Sequence, residues 1–400
     1  MFNQSSKLEK LEKGSARKRK FWLSLPCFRS YASVIYISAF LNRFVGFLPF
    51  RIESSKFVYS KLYFIFSTIS TIIYLLCIFY CLYTINFVIN ADKADMSFTL
   101  HSNLLMSFGS MIFISAYVKS RLVIQAINRI SNVSCVVSPE IFREIARNIF
   151  IKDTLLLTPL LIFFPRIVEK DHILRFMCWC NFVGPFMLII LYMNNVYVLN
   201  ICFKYINDSL VKVKEILIND EPHLLRRVYH MQKNPMLLTK LRTLKKQHLE
   251  MSEVVQLLND SCSTQIESVL SLYFVDVTFN IYKFVALYSG TFETLFSESF
   301  ISVLCYAIFY TAHIVVIISI IEITKSQIRK IGSNIHQVLV HTFDEQVTTE
   351  LELFSLQVLQ KGATFAMKGL VIDATFLTKM SCGIATFLLI LIQFLFIEPC

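Results

Sequence analysis

Apolar residues along this chain gather into long runs, and polar, mostly basic intervals separate them. Runs at 62–88, 98–118, 149–164, 176–203, 266–288, 300–323 and 382–397 approach the roughly 20 residues with which one helix crosses about 30 Å of hydrocarbon. The pattern predicts an all-α, polytopic membrane protein with seven transmembrane helices. A shorter run at 39–50, AFLNRFVGFLPF, holds Arg43, Gly46 and Pro49. A charge and a helix breaker make it an interfacial or re-entrant piece rather than a span.

Two polar intervals carry a second period. Leu241, Leu244, His248, Met251, Val255 and Leu258 recur at three- and four-residue offsets, as do Ile328, Ile331, Ile335 and Val338, and then Leu351, Phe354 and Val358. That spacing puts each set on one helical face. Intervals 204–264 and 325–374 are therefore expected to be amphipathic helices that extend the spans beyond the membrane. On the residues alone they form either a folding platform for one chain or an assembly surface. The chain divides into a basic segment 1–57, a block 58–323 with six spans and the extension 204–264, and a terminal unit 324–400.

Charge sets the orientation. Intervals 1–57, 119–148, 204–264 and 325–374 hold 31 Lys and Arg, whereas those on the other side hold three, Lys93, Arg166 and Lys170. The positive-inside rule then puts the N-terminus in the cytoplasm and the C-terminus outside. All four Asn-x-Ser sequons, at Asn3, Asn132, Asn207 and Asn259, fall on the cytoplasmic side, where glycosylation does not reach. The outer loops are too short to fold into a ligand-binding domain, so a ligand from outside binds among the helices.

Composition narrows the class. At 55% hydrophobic residues, and with the net charge of +11 spread between apolar runs, the bases suit an anionic membrane surface and no nucleic acid is implied. Most of the 11 cysteines lie inside apolar runs at spacings that match no metal site. The nine glycines never fall two apart, so no phosphate-cradling loop can be written. No catalytic motif announces an enzyme, and nothing calls for a cofactor or a metal.

The last run, CGIATFLLILIQFLFI, holds one amide, Gln393, and an unpaired amide in hydrocarbon costs several kcal/mol. Thr386, Ile390, Gln393 and Ile397 share one face. The residues alone leave two readings: Gln393 binds a neighbouring helix by a hydrogen bond, or the face lines a pore. Glu398, just beyond the run, is either a solvated charge or a cation-concentrating group at the outer mouth.

In the fifth run Asp276, Asn280 and Lys283 lie on one face. They form an internal pair bridged by Asn280, or they point into a polar pocket. The candidates to stand opposite are Tyr306 and Tyr310 on the sixth span, His101 and Asn103 on the second, and Trp179 on the fourth. Aromatic walls with a few hydrogen-bonding groups suit a small organic ligand.

Thr386, Phe387, five apolar residues, Gln393 and Phe394 resemble the C-terminal signature of insect gustatory receptors, Thr-Tyr, five hydrophobics, Gln-Phe. Phe387 departs from it, standing where the family has Tyr and lacking that hydroxyl. The segment GLVIDATFLTKMSCGIAT before it also resembles the family, and so does 39–50. The resemblance implies a chemoreceptor that is a ligand-gated, non-selective cation channel in the plasma membrane. Its small-molecule tastant binds among spans two to six, and four copies, identical or mixed with related receptors, join through the cytoplasmic helices. It also implies that Gln393 and Phe394 form the narrowest point of the pore. A secondary transporter, or a seven-helix receptor signalling through a partner protein, is the alternative.

Overall fold

The computed structural model describes residues 30–53, 56–89, 96–163, 172–219, 235–288, 298–342, 344–367 and 370–397. The basic tail 1–29 lies outside them. Helix α1 is Tyr31–Val45, and a two-stranded hairpin, β1 Phe50–Glu53 and β2 Lys56–Tyr59, follows. Helices α2 Lys61–Tyr83, α3 Met96–Val133, α4 Pro139–Phe163, α5 His172–Asn219, α6 Pro235–Tyr288 and α7 Glu298–Val340 come next. A short helix α8, Glu345–Gln360, a small hairpin β3 Ala366–Met367 and β4 Leu370–Val371, and α9, Ala374–Ile397, complete the order.

Six of these helices are long and apolar enough to cross a membrane: α2, α3, α5, α6, α7 and α9. The third expected span falls in α4, whose side chains from 159 onward lie outside the described residues. The lengths divide membrane from extension. At 1.5 Å per residue the 54 residues of α6 run about 80 Å and the 48 of α5 about 70 Å, more than twice the hydrocarbon thickness.

Outside the spans the two periods of the sequence become one core. Leu241, Leu244, His248, Met251, Val255 and Leu258 of α6 are all buried, with Ile331, Ile335 and Val338 of α7 and Leu351 and Phe354 of α8. Asp344 caps α8 by accepting from Gln346 N–H at 2.9 Å.

The run expected as a single piece at 39–50 is split. Helix α1 stops where Gly46 takes φ 96°, a left-handed conformation that a side chain resists, and a Cβ there would also crowd Ser70 Oγ at 3.1 Å. The chain then turns into β1, paired antiparallel with β2 from Phe50↔Tyr59 to Glu53↔Lys56. The Asn128 side chain of α3 fixes this hairpin, accepting from Phe57 N–H at 3.0 Å and donating to Phe57 C=O at 2.6 Å.

Burial orders the helices. In the most apolar window of α5 89% of the residues are buried, so α5 is the centre of the bundle. In α9 the corresponding share is 6%. An apolar helix that its own chain leaves uncovered meets lipid or another subunit.

Candidate functional site

Among the polar side chains within the spans of the described residues, two groups hold paired charges. The first joins α3 to α6. Asp276 is 4% exposed, and an ionised carboxylate so buried must be paired. Its partner is His101, with Nε2 at 3.0 Å from Oδ1. Lys283 Nζ lies 3.5 Å from the other ring nitrogen, Nδ1. An ammonium only donates, so Nδ1 accepts and Nε2 carries the proton given to Asp276. The imidazole thus bridges the two opposite charges, and its ring stacks on Phe279 at 4.7 Å.

Asn280, which on one of the two readings bridges the charges, does not stand between them. Its amide donates at 2.7 Å to the Asp276 carbonyl on its own helix. Tyr310 joins the group, with its hydroxyl in reach of Asp276. Behind it stands an aromatic wall: Phe182 of α5 meets Tyr306 at 5.9 Å, Phe309 at 5.3 Å and Tyr310 at 5.7 Å, while Tyr273 meets Tyr310 at 5.0 Å.

Of the two remaining candidates, Asn103 is engaged elsewhere. Asn103 pairs with Asn86 through two reciprocal amide bonds of 2.9 Å, tying α3 to the turn after α2. Trp179 lies against Phe176 at 6.3 Å, one helical turn before Phe182 of the wall.

A second polar group, partly buried, is one the spacing does not single out. Lys152 of α4 donates at 2.7 Å both to Asp153 and to Asn194 Oδ1 of α5, and Asn194 Nδ2 donates to Asp153 Oδ2 at 2.8 Å. The available signal was the adjacent Lys-Asp pair inside an apolar run, which asks for a partner at that depth.

On α9 the side chains of Thr386, Ile390 and Gln393 are exposed. Thr386 Oγ1 donates to Cys382 C=O at 2.9 Å, so its polarity is spent on its own helix. Phe387 turns toward α6, with its ring edge-on to Phe274 at 5.7 Å. A groove of about 650 Å³ runs between α3, α6 and α9, lined by Leu100, Phe108, Phe274, Phe279, Phe387 and Leu391. It connects the surroundings of His101 to the terminal helix. The Phe394 side chain and Glu398 lie outside the described residues.

At the base of α9, Asp373 accepts from Phe376 N–H at 3.0 Å as its N-terminal cap. Lys325 of α7 donates at 2.7 Å to the Ile372 carbonyl, joining α7 to the hairpin that leads into α9.

Long membrane helices, buried charges paired between them and extensions sharing a core define a multi-pass helical membrane protein. The family described as 7tm Chemosensory receptor matches over residues 3–397, and the chain belongs to it. This is a receptor family and not a class of enzymes. A Drosophila melanogaster protein carried under the provisional name gustatory receptor 28b is 29% identical over 157 residues, which span 37% of this chain and 32% of that relative's length. The insect olfactory receptor OR5 from Machilis hrabei has the same fold, with a TM-score of 0.63 at 11% identity, over 90% of this chain and 97% of that one. Its complex with eugenol superposes with a TM-score of 0.59 at 13% identity and the same coverage.

Proposed function

We propose that this chain is one subunit of a gustatory receptor that works as a small-molecule-gated, non-selective cation channel in the plasma membrane. Seven helices cross the bilayer with the N-terminus inside. Four copies join through the outer faces of the extensions of α6, α7 and α8, and their terminal helices surround the ion route. The observation that carries this reading is α9, a membrane-length helix left 6% buried by its own chain and bearing one exposed amide, Gln393. Around a symmetry axis Gln393 gives a ring of neutral amides, with Ile390 and Phe394 as apolar constrictions able to close by dewetting. Glu398 stands at the outer mouth.

The ligand site is the polar group around His101, Asp276 and Lys283 with the wall of Tyr306 and Tyr310. That OR5 of the same fold is described in complex with eugenol supports a small organic ligand here. Binding there shifts a closed-to-open equilibrium to the extent that the ligand prefers one state. Whole-cell recording from cells expressing this chain alone, challenged with a panel of tastants, tests the reading: currents carried by several cations are expected, and silence at normal surface expression contradicts it. Asp276→Asn removes the charge that His101 holds and is expected to raise the half-maximal agonist concentration on the order of tenfold, the loss of one charge-assisted hydrogen bond.

A further inference from the structure

Away from both groups, a groove of about 450 Å³ lies between α1 and α4. Its lining on α4 runs from Glu140 to Leu157, about 26 Å at 1.5 Å per residue, far longer than a compact organic ligand. The lining is divided along that length. Glu140, Arg143, Glu144 and Arg147 occupy the first two turns, and beyond them the lining is mainly apolar, with Ile149, Phe150 and Leu157 across from Val34 and Ile37 of α1. Among these lie Thr154, Ser38 and Asp153, the last already held by Lys152 and Asn194.

Charge and depth coincide. The change from charged to apolar lining marks where α4 passes from the membrane surface into hydrocarbon. Arg143 and Arg147 sit one turn apart, as do Glu140 and Glu144, so each pair shares a face. All four are exposed, and among the described residues none of them lies within ion-pair distance of an opposite charge. The groove therefore offers two free cations and two free anions at headgroup level and below them a mainly apolar slot whose one carboxylate, Asp153, is already paired.

We propose that it holds one glycerophospholipid with an amine-bearing, zwitterionic headgroup from the leaflet that contains α1. The phosphate sits between Arg143 and Arg147, whose planar donors match phosphate oxygens in pairs. The ammonium is accepted by Glu140 and Glu144, and one acyl chain follows Ile37, Phe150 and Leu157. Such a lipid would pack α1 against α4, which otherwise touch little because α1 rests mainly on α5. The site goes beyond the channel reading and stands without it, since it needs only that α4 enters the membrane.

The test uses the full chain in phosphatidylcholine nanodiscs doped with a photoactivatable phosphatidylethanolamine, and maps the labelled peptides by mass spectrometry. The peptides of α1 and α4 are expected to label well above α2, whose Ile65, Ile69 and Leu76 face the bilayer and report bulk lipid contact. Unlabelled phosphatidylethanolamine should compete and phosphatidylcholine should not. Arg143→Ala with Arg147→Ala should lower labelling on the order of tenfold, the loss of one or two charge-assisted hydrogen bonds. Ile37→Trp, which fills the apolar slot and leaves the charges alone, should lower it as well. Labelling equal to that of α2 would mean surrounding lipid only and overturn the proposal, as would labelling unchanged in both variants.

Discussion

Gly109 shows how close α3 comes to α5. A Cβ on it would lie 1.9 Å from Asn181 Oδ1 and 2.9 Å from the Tyr74 hydroxyl. Asn181 has little room to move, since its Oδ1 accepts from Tyr74 and its Nδ2 donates to Met106 Sδ at 3.2 Å. Gly109→Ala is therefore expected to destabilise the protein by about 1–3 kcal/mol through forced repacking, read as a lower melting temperature of the purified protein. Gly383→Ala, which meets only the ring of Phe274 at 3.1 Å, should cost less. His248, in the extension of α6, is the other residue with a clear consequence. It lies fully buried between Phe203 and Phe354, with Gln357 Nε2 3.2 Å from Nδ1 and no partner at Nε2 among the described residues. Burial pulls its pKa down to about 4. The unfolded chain protonates it near 6.5, so the stability that rests on its neutral form is complete above that pH and is lost as pH falls from 6.5 toward 4. Melting temperature should fall across that window by the equivalent of roughly 3 kcal/mol, and His248→Leu should flatten that part of the fall. Equal slopes in the two proteins would remove His248 as the cause.

At the scale of elements, α7 is tied to the start of α9 at its base. Lys325 holds the Ile372 carbonyl at 2.7 Å and lies 3.5 Å from Glu322, so α7 grips the hairpin from which α9 starts. Lys325→Met keeps the length of the side chain and loses the donor. It is expected to raise the half-maximal agonist concentration several-fold at unchanged unitary conductance; a changed conductance would place Lys325 in the ion route instead. The long helices were legible in the sequence because their periods are sustained: every residue from Leu241 to Leu258 assigned to the inner face is buried. Helix α1 and the hairpin β1–β2 were not, because a short apolar run has no sustained period. Their shape depends on Gly46 and on Asn128, which meets Phe57 from 71 positions away. The spacing puts Asp276, Asn280 and Lys283 on one face of α6 and offers a bridge through Asn280 as one of two readings, whereas in the structure the group between the two charges is His101. The contact of His101 with Asp276 joins residues 175 apart and leaves no trace in local spacing.

For the whole molecule, burial separates a helix at the centre of its own chain, α5, from one that its chain leaves open, α9. The open helix carries Gln393 on the exposed side and Phe387 on the side packed against α6. A symmetric assembly satisfies both facts, with α6 supporting each terminal helix from behind and the amides meeting water in front. The groove between α3, α6 and α9 reaches from the His101 surroundings to Phe387, which in the proposed function gives movement at the ligand site a short path to α9. The most direct test is thiol access at Gln393→Cys in a Cys382→Ser background, with water-soluble methanethiosulfonate applied from either side during recording. A channel surrounded by copies of α9 predicts rapid, agonist-dependent block of the current. Full reduction-sensitive labelling at the ends of α9 with no modification at position 393 from either side would contradict it.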